Sequence, residues 1–265
     1  MEKSSKDILD VPLILCTFDT LEELPGSSRE TIKGEATLNR PVANEYYTKY
    51  SEVLSFEYAL IKEDESAFTD EEQCIVEAWL TSPKQSQWIE FFDYYDESVG
   101  LYCGKFISTS WKLFCDGFAG VTFTFETNAN YAWRSFERKY SVSGSDTTIT
   151  TDVESDEYEE WVYPYLTIYA TEETGIIQIK NTTDNNNIMS IKARKKLPMY
   201  FDCQHYRISD GTTSGIVSFK DLGWDDVGSI YWLRLMPGKN TLETTGSFDL
   251  TINFKCPYKK VGGWI

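Results

Sequence analysis

The stretch GFAGVTFTFETNANYAW (117–133) carries the pattern that sets the fold class. Val121, Phe123 and Phe125 alternate with Thr122 and Thr124. That period of two places an apolar row on one face of a strand and a polar row on the other. Tyr131 and Trp133 follow, with Phe136 and Tyr140 close behind. No nucleophile, base or phosphate loop stands nearby, so the stretch is sheet core, a ligand platform or a protein interface.

The same alternation recurs in VLSFEYALI (53–61), SQWIEFF (86–92), LTIYA (166–170), GIIQIK (175–180) and SFDLTINF (247–254). Turn residues separate these runs: TDNNN (183–187), SDG (209–211) and MPGKN (236–240). In the last, Pro237 presets φ and Gly238 supplies a positive φ, the requirement of a type II turn. Short strands spaced in this way predict sandwiches or barrels, not a parallel α/β sheet. One helix interrupts them, TDEEQCIVEAWL (69–80). Thr69 and Glu72 have capping-box spacing, Ile75, Val76, Trp79 and Leu80 form an apolar stripe, and Ser82-Pro83 stops the helix. That stripe is expected to pack on the first domain's sheet.

The chain has 265 residues, 41% of them hydrophobic and 15% aromatic, ample for one large or two modest packed domains. No stretch approaches the ~18 apolar residues of a membrane helix, so no membrane insertion is expected. MEKSSKDILD is polar and VPLILC is short for a signal-peptide core, so synthesis in the cytoplasm without a signal peptide is expected. Cys16, Cys74, Cys103, Cys115, Cys203 and Cys256 are scattered without a C-x-x-C, and read as small buried hydrophobes. Residues 1–155 hold 28 acidic against 13 basic residues, net −15, whereas 156–265 hold 14 against 12, net −2. An acidic half repels phosphate, which argues against a nucleic-acid grip. The asymmetry, with the apolar-poor stretch SVSGSDTTITTDVESDEYEEW (141–161), predicts two domains, 1–155 and 156–265. The last ten or so residues are candidates to return to the first domain.

Signals for chemistry are weak. His205, the only histidine, lies in FDCQHYRIS without a nucleophile signature. Asp93, Asp96 and Glu97, then Glu157, Glu159 and Glu160, then Asp225 and Asp226 could in principle pair as glycosidase carboxylates. With 42 acidic residues such pairs are common, and a solvated surface is the simpler explanation. GWDD (223–226) lacks the D-x-D-x-D-G of a calcium loop, KARKK (192–196) is short for nucleic acid, and Asn181-Thr182-Thr183 is a sequon without a secretory signal. No catalytic, cofactor or metal residue is assigned.

In order and spacing these features resemble the distal tail protein family of siphophages and prophages. The resemblance starts at PGSSRETIKGEATLNRP (25–41), continues through AWL (78–80) and QWIEFFDYYDESVGLYCGKF (87–106), and reaches the opening strand with its YAW (131–133). Asn130 stands where proline is common in the family. YPYLTI (163–168), GIIQIKN (175–181) and WLRLMPGKNTLE (232–243) extend the likeness, which covers nearly the whole chain.

The resemblance implies a mainly β protein of two β-rich domains. The first would be a ring-forming β-sandwich or barrel with one helix, and the second a galectin-like, carbohydrate-module-like β-sandwich. It further implies a homo-hexameric ring in the virion, joining the tail tube protein to the tail-tip protein and baseplate. The tape measure protein and receptor-binding proteins are further neighbours, and DNA passes through without specific binding. It implies no catalytic residues. On that basis the alternating strand is core and the aromatics after it close the first domain. The alternatives are a sandwich that binds host glycans, which needs exposed Trp or Tyr on one face, and a glycoside hydrolase, which needs two carboxylates across a cleft.

Overall fold

The computed structural model describes residues 13–16, 29–33, 45–50, 53–92, 98–114, 117–144, 147–172, 175–192, 198–209 and 231–259. Contacts divide the chain into two compact units, the first running to Ala132 and the second spanning Trp133–Tyr258. The expected boundary at 155/156 falls inside the second unit. Of the last ten or so residues, candidates to return to the first domain, 256–258 end the last strand in the second unit, Lys259 groups with the first, and 260–265 lie outside the described residues.

The first unit contains β1 (Leu13–Cys16), β2 (Arg29–Lys33), β3 (Glu45–Tyr50), β4 (Ser55–Lys62), α1 (Asp70–Thr81), β5 (Gln87–Phe92), β6 (Ser98–Phe114) and β7 (Gly117–Thr127). Its sheet runs β1-β4-β7-β6 with β5 also on β6, and β2 and β3 form a separate ribbon. Every neighbour pair in that path with a known register is antiparallel. Among the described residues this path is open, so the barrel alternative is not formed; a helix covers the sheet instead.

The opening strand behaves as its alternation demands: Val121, Phe123 and Phe125 are buried. They meet Phe56 and Tyr58 of β4 and Phe106 of β6, with Phe106 edge-on to Phe123 at 5.1 Å. Such edge-to-face contacts favour one ring arrangement over others. Strand β6 passes from β5 to β7 at Gly104, which pairs with Gln87 on one side and Thr127 on the other. A Cβ there would sit 2.4 Å from the Glu126 carbonyl oxygen, so the site admits only glycine without backbone movement.

The second unit contains β8 (Ala132–Val142), β9 (Thr147–Val153), β10 (Tyr165–Ala170), β11 (Ile176–Asn181), β12 (Asn187–Lys192), β13 (Met199–Asp202), β14 (Arg207–Ser209), β15 (Gly238–Thr245) and β16 (Phe248–Tyr258). One sheet runs β8-β16-β10-β13-β14 and the other β12-β11-β15-β9. Leu166, Ile168, Leu250 and Ile252 from the first join Ile177, Ile179, Met189 and Leu242 from the second in one buried cluster. Two sheets sharing one apolar core are the layered solution for strands with one apolar face.

Two expectations are corrected here. The apolar-poor stretch 141–161 is not a linker throughout, since β9 crosses it and buries Ile149, Thr151 and Val153. Threonine is β-branched and suits a pleated strand even where hydropathy is low. Of the aromatics after the opening strand, Tyr131 stays with the first unit, whereas Phe136 and Tyr140 do not close it. Phe136 and Tyr140 pack on the second unit's core, and Phe136 stacks on Phe254 at 5.3 Å.

Candidate functional site

The first unit's helix is held by its ends and one face. Thr69 Oγ1 accepts from the Glu72 amide, while a Glu72 carboxylate oxygen accepts from the Thr69 amide at 2.8 Å. That reciprocal cap satisfies two amides left open at a helix start. The Thr69 amide, then Lys62, hold the Glu72 carboxyl below its ordinary value of 4.5. Val76 and Leu80 are buried, and Trp79 leans on Phe106 at 5.3 Å. Ile75, expected in the stripe, is instead 41% exposed, because Val76 and Leu80 centre the buried face.

A bulge at Ile107 shifts the parity of β6, so that Phe106 faces Phe125 and then Thr109, rather than Ser108, faces Phe123. Thr109 and Trp111 consequently donate to the Glu77 carboxylate of α1, Trp111 Nε1 at 2.8 Å. The bulge therefore gives the helix a polar anchor as well as an apolar one.

In the second unit two loops are clamped by buried polar groups. Asp184, fully buried in the β11–β12 turn, accepts from Arg234 Nε and Nη2, both at 3.0 Å, and from the Tyr231 hydroxyl. The Arg234 guanidinium lies 3.8 Å over the Trp161 ring. Burial works to raise the Asp184 pKa, but the Arg234, Tyr231 and Asn187 hydrogen bonds and the Arg234 charge outweigh it and hold the carboxyl low. Asn181, the sequon residue, is also fully buried, donating to the Arg234 carbonyl and accepting from the Thr183 amide. Its side chain is structural. Buried Asn240 accepts from the Met236 amide and donates to the carbonyls of Met236 and Gly238. It locks the turn in which Gly238 has φ 84°, as the PGKN run predicts.

The outward face of β16, β10, β13 and β14 is aromatic and polar. Register places Asn253, Tyr165, Asp202 and Arg207 in one cross-strand row, and Thr251, Thr167, Tyr200 and Ser209 in the next. Tyr169 stands opposite Asp249 in a third. Tyr165 and Tyr169 are 40% and 39% exposed, and the Tyr165 and Tyr200 rings lie 6.2 Å apart. Burial first, then Tyr200 and Asp202, push the Tyr165 phenol above its ordinary value, so it stays a neutral donor and acceptor at neutral pH.

Residues 4–129 match the family model of the phage tail protein N-terminal domain, and residues 131–256 match that of the phage tail C-terminal domain. The chain belongs to this phage tail protein family. No curated protein matches it. Its fold is similar to that of a crystal structure described as SPP1 Dit (gp 19.1), a paradigm of the hub adsorption apparatus in phages infecting Gram-positive bacteria. The two chains are 14% identical with a TM-score of 0.57, over 92% of this chain and 98% of that one. A chain of the phage P2 baseplate in its activated conformation with Ca is similar at 8% identity and a TM-score of 0.56, over 96% of this chain and 94% of that one. The distal-tail resemblance read from the sequence thus meets a tail family in sequence and a hub protein in fold.

The remaining sequence candidates scatter in this tail protein. His205 bonds to Asp202, Nδ1 to Oδ2 at 2.7 Å, in the β13–β14 turn. Glu159 and Glu160 are exposed and Glu157 is half-buried. Asp93, Asp96, Glu97, Asp225, Asp226 and most of KARKK lie outside the described residues. Of the five described cysteines all are free; Cys203 and Cys256 are buried, and burial pushes each up to about 12. Cys74, expected inside, is exposed on α1. Among the described residues no three His, Cys, Asp or Glu group as for a metal ion, and no helix is long and apolar enough to cross a membrane.

The sequence reading missed the Asp184 clamp and the tyrosine rows. TDNNN announced a turn, but nothing in it signalled that its aspartate is buried. YPYLTIYA did carry a signal: Tyr165, Thr167 and Tyr169 share one parity, opposite to Leu166 and Ile168.

Proposed function

We propose that this tail protein is a distal tail hub. Six copies form a ring through the acidic N-terminal part, and the ring joins the tail tube to the tail-tip and host-adsorption apparatus. The observation that carries this is the end-to-end fold likeness to the SPP1 hub protein, which spans both units and 98% of that chain. The second unit serves as a galectin-like sandwich, a reading supported by its two sheets on one core. The contact division favours placing the junction at Ala132/Trp133. The role is structural and not catalytic. Tape measure and receptor-binding proteins are its further neighbours, and the genome passes through without being held.

The charge distribution supports that passage, since residues 1–132 hold 24 acidic against 10 basic residues, net −14, and six copies multiply the field. An acidic wall avoids the phosphate contacts by which basic surfaces hold DNA. Mass photometry of the purified chain tests the ring: a species near six times 30.5 kDa is expected. A chain that stays monomeric at every concentration, and with its tube partner present, contradicts it.

A further inference from the structure

The two units treat their sheet edges differently. Three edge strands of the second unit carry guards. Strand β14 is three residues long and bears Arg207, and β12 ends on Lys192 at the head of the basic KARKK run. The Thr150 carbonyl of β9 accepts from the Tyr140 hydroxyl at 2.9 Å. Short length, basic side chains and a capped carbonyl keep an edge from recruiting another chain.

In the first unit the order β1-β4-β7-β6, with β5 on β6, puts β1 and β5 at the two ends of the sheet. Among the described residues no strand pairs with the far side of either. Strand β1 is LILC, without charge or proline, and its Ile14 is 42% exposed. Strand β5 is QWIEFF, apolar on both faces through Trp88, Ile89, Phe91 and Phe92, the last 47% exposed. Its one charge, Glu90, accepts from the Ser98 hydroxyl at 2.6 Å. The bulge between β5 and β6 places its extra residue, Val99, in β6, so β5 stays regular. Apolar residues on both faces mark a strand that is covered on both sides, as inner strands are. Neither edge is guarded.

Two open edges on one sheet select the occupant. A foreign strand would fill one edge and leave the other bare. A second copy of the chain supplies the matching edge itself, with backbone hydrogen bonds for affinity and apolar side chains on either face. Such a head-to-tail contact repeats until it closes, and a closed ring leaves no edge. We propose that the far edge of β5 in one copy pairs with the far edge of β1 in the next, so that one sheet runs through the subunits of the ring. The proposal rests on the ring reading and names the junction within it.

Mass photometry of Ile14→Lys and Phe92→Lys, alone and mixed, tests it. Each variant alone is expected to need at least about tenfold more protein than the parent to assemble. In the mixture the intact β5 of the first meets the intact β1 of the second. The other two edges are spoiled, so assembly stops at a dimer near twice 30.5 kDa. Ile188→Lys, on β12 of the second unit, assembles as the parent does. If circular dichroism shows a lysine variant unfolded, disulfide trapping carries the test. In a Cys74→Ser background, Gln87→Cys, Ile89→Cys, Glu90→Cys and Phe92→Cys are each oxidised against Cys16. These positions span both faces and the length of β5. At least one gives an intermolecular ladder that Cys16→Ser abolishes. Rings that form alike in the parent and both lysine variants, or a ladder from none of the cysteines, overturn the junction and leave the ring reading standing. A parent that stays monomeric in the ring's own test removes both.

Discussion

The first unit is built on rings and the second on aliphatic chains. Phe56, Tyr58, Tyr102, Phe123 and Phe125 fill the first core, with Phe56 edge-on to Tyr102 at 5.4 Å. Leucines, isoleucines and methionines dominate the second, which both of its sheets enclose. Rings carry their own orientational preference, so a single sheet with a docked helix can fix them. Aliphatic side chains have less directional preference, and the second unit obtains its uniqueness from polar clamps at its loops. One buried aspartate there does what ring geometry does in the first unit.

The largest expected effect concerns the border between the two. A fragment spanning Trp133–Tyr258 unfolds cooperatively in a thermal melt followed by circular dichroism. A fragment of 156–265 does not, because it loses β8 and β9 and with them Phe136, Val142, Ile149 and Val153 from the core. Cooperative unfolding of the shorter fragment would break the comparison as drawn.

Single substitutions then separate rings from clamps. Phe125→Ala, fully buried, is expected to cost about 3–5 kcal/mol in urea unfolding. Asp184→Ala leaves Arg234 without its partner and costs about 3 kcal/mol. Pairing Asp184→Ala with Arg234→Met recovers much of that loss, a coupling with no counterpart in the ring core. A strictly additive double variant would remove the clamp from the account.

Acid sharpens the same point. Asp184 and Glu72 both have folded pKa values below the ordinary carboxylate values of 3.8 and 4.5. Each therefore contributes stability that is complete above those values and lost as pH falls through the lower folded ones. Asp184→Asn flattens the acid limb of a fragment spanning Trp133–Tyr258. An unchanged limb assigns its acid sensitivity to other groups.

The smallest effects lie on α1. Trp79 is half-buried, so Trp79→Ala costs about 1–3 kcal/mol, less than a fully enclosed tryptophan. Thr69→Ala removes the cap at about 1 kcal/mol. A Trp79→Ala loss as large as that of Phe125→Ala would mean that the helix, not the rings, organises the first unit.

Strands with one apolar face were legible from their alternation, as VTFTF and LTIYA show, and so was the helix with its cap. The parity change at Ile107 was not, because a bulge leaves no mark in KFISTSW that separates it from an irregular alternation. Strand β9 was missed because threonine looks polar on a hydropathy scale yet packs well in a sheet. The site was half legible. Tyrosines at one parity of β10 were in the sequence, but their rows with Asp202, Arg207 and Asn253 depend on strand order, which joins β16 to β10 across more than 80 residues.

The hub proposal is tested most directly by cryo-electron microscopy of the assembled tail. It expects six copies of the chain in one ring at the distal end of the tube, with acidic side chains from the N-terminal part on the channel wall. A different copy number, or a channel lined by Lys and Arg with the acids on the outer rim, contradicts it.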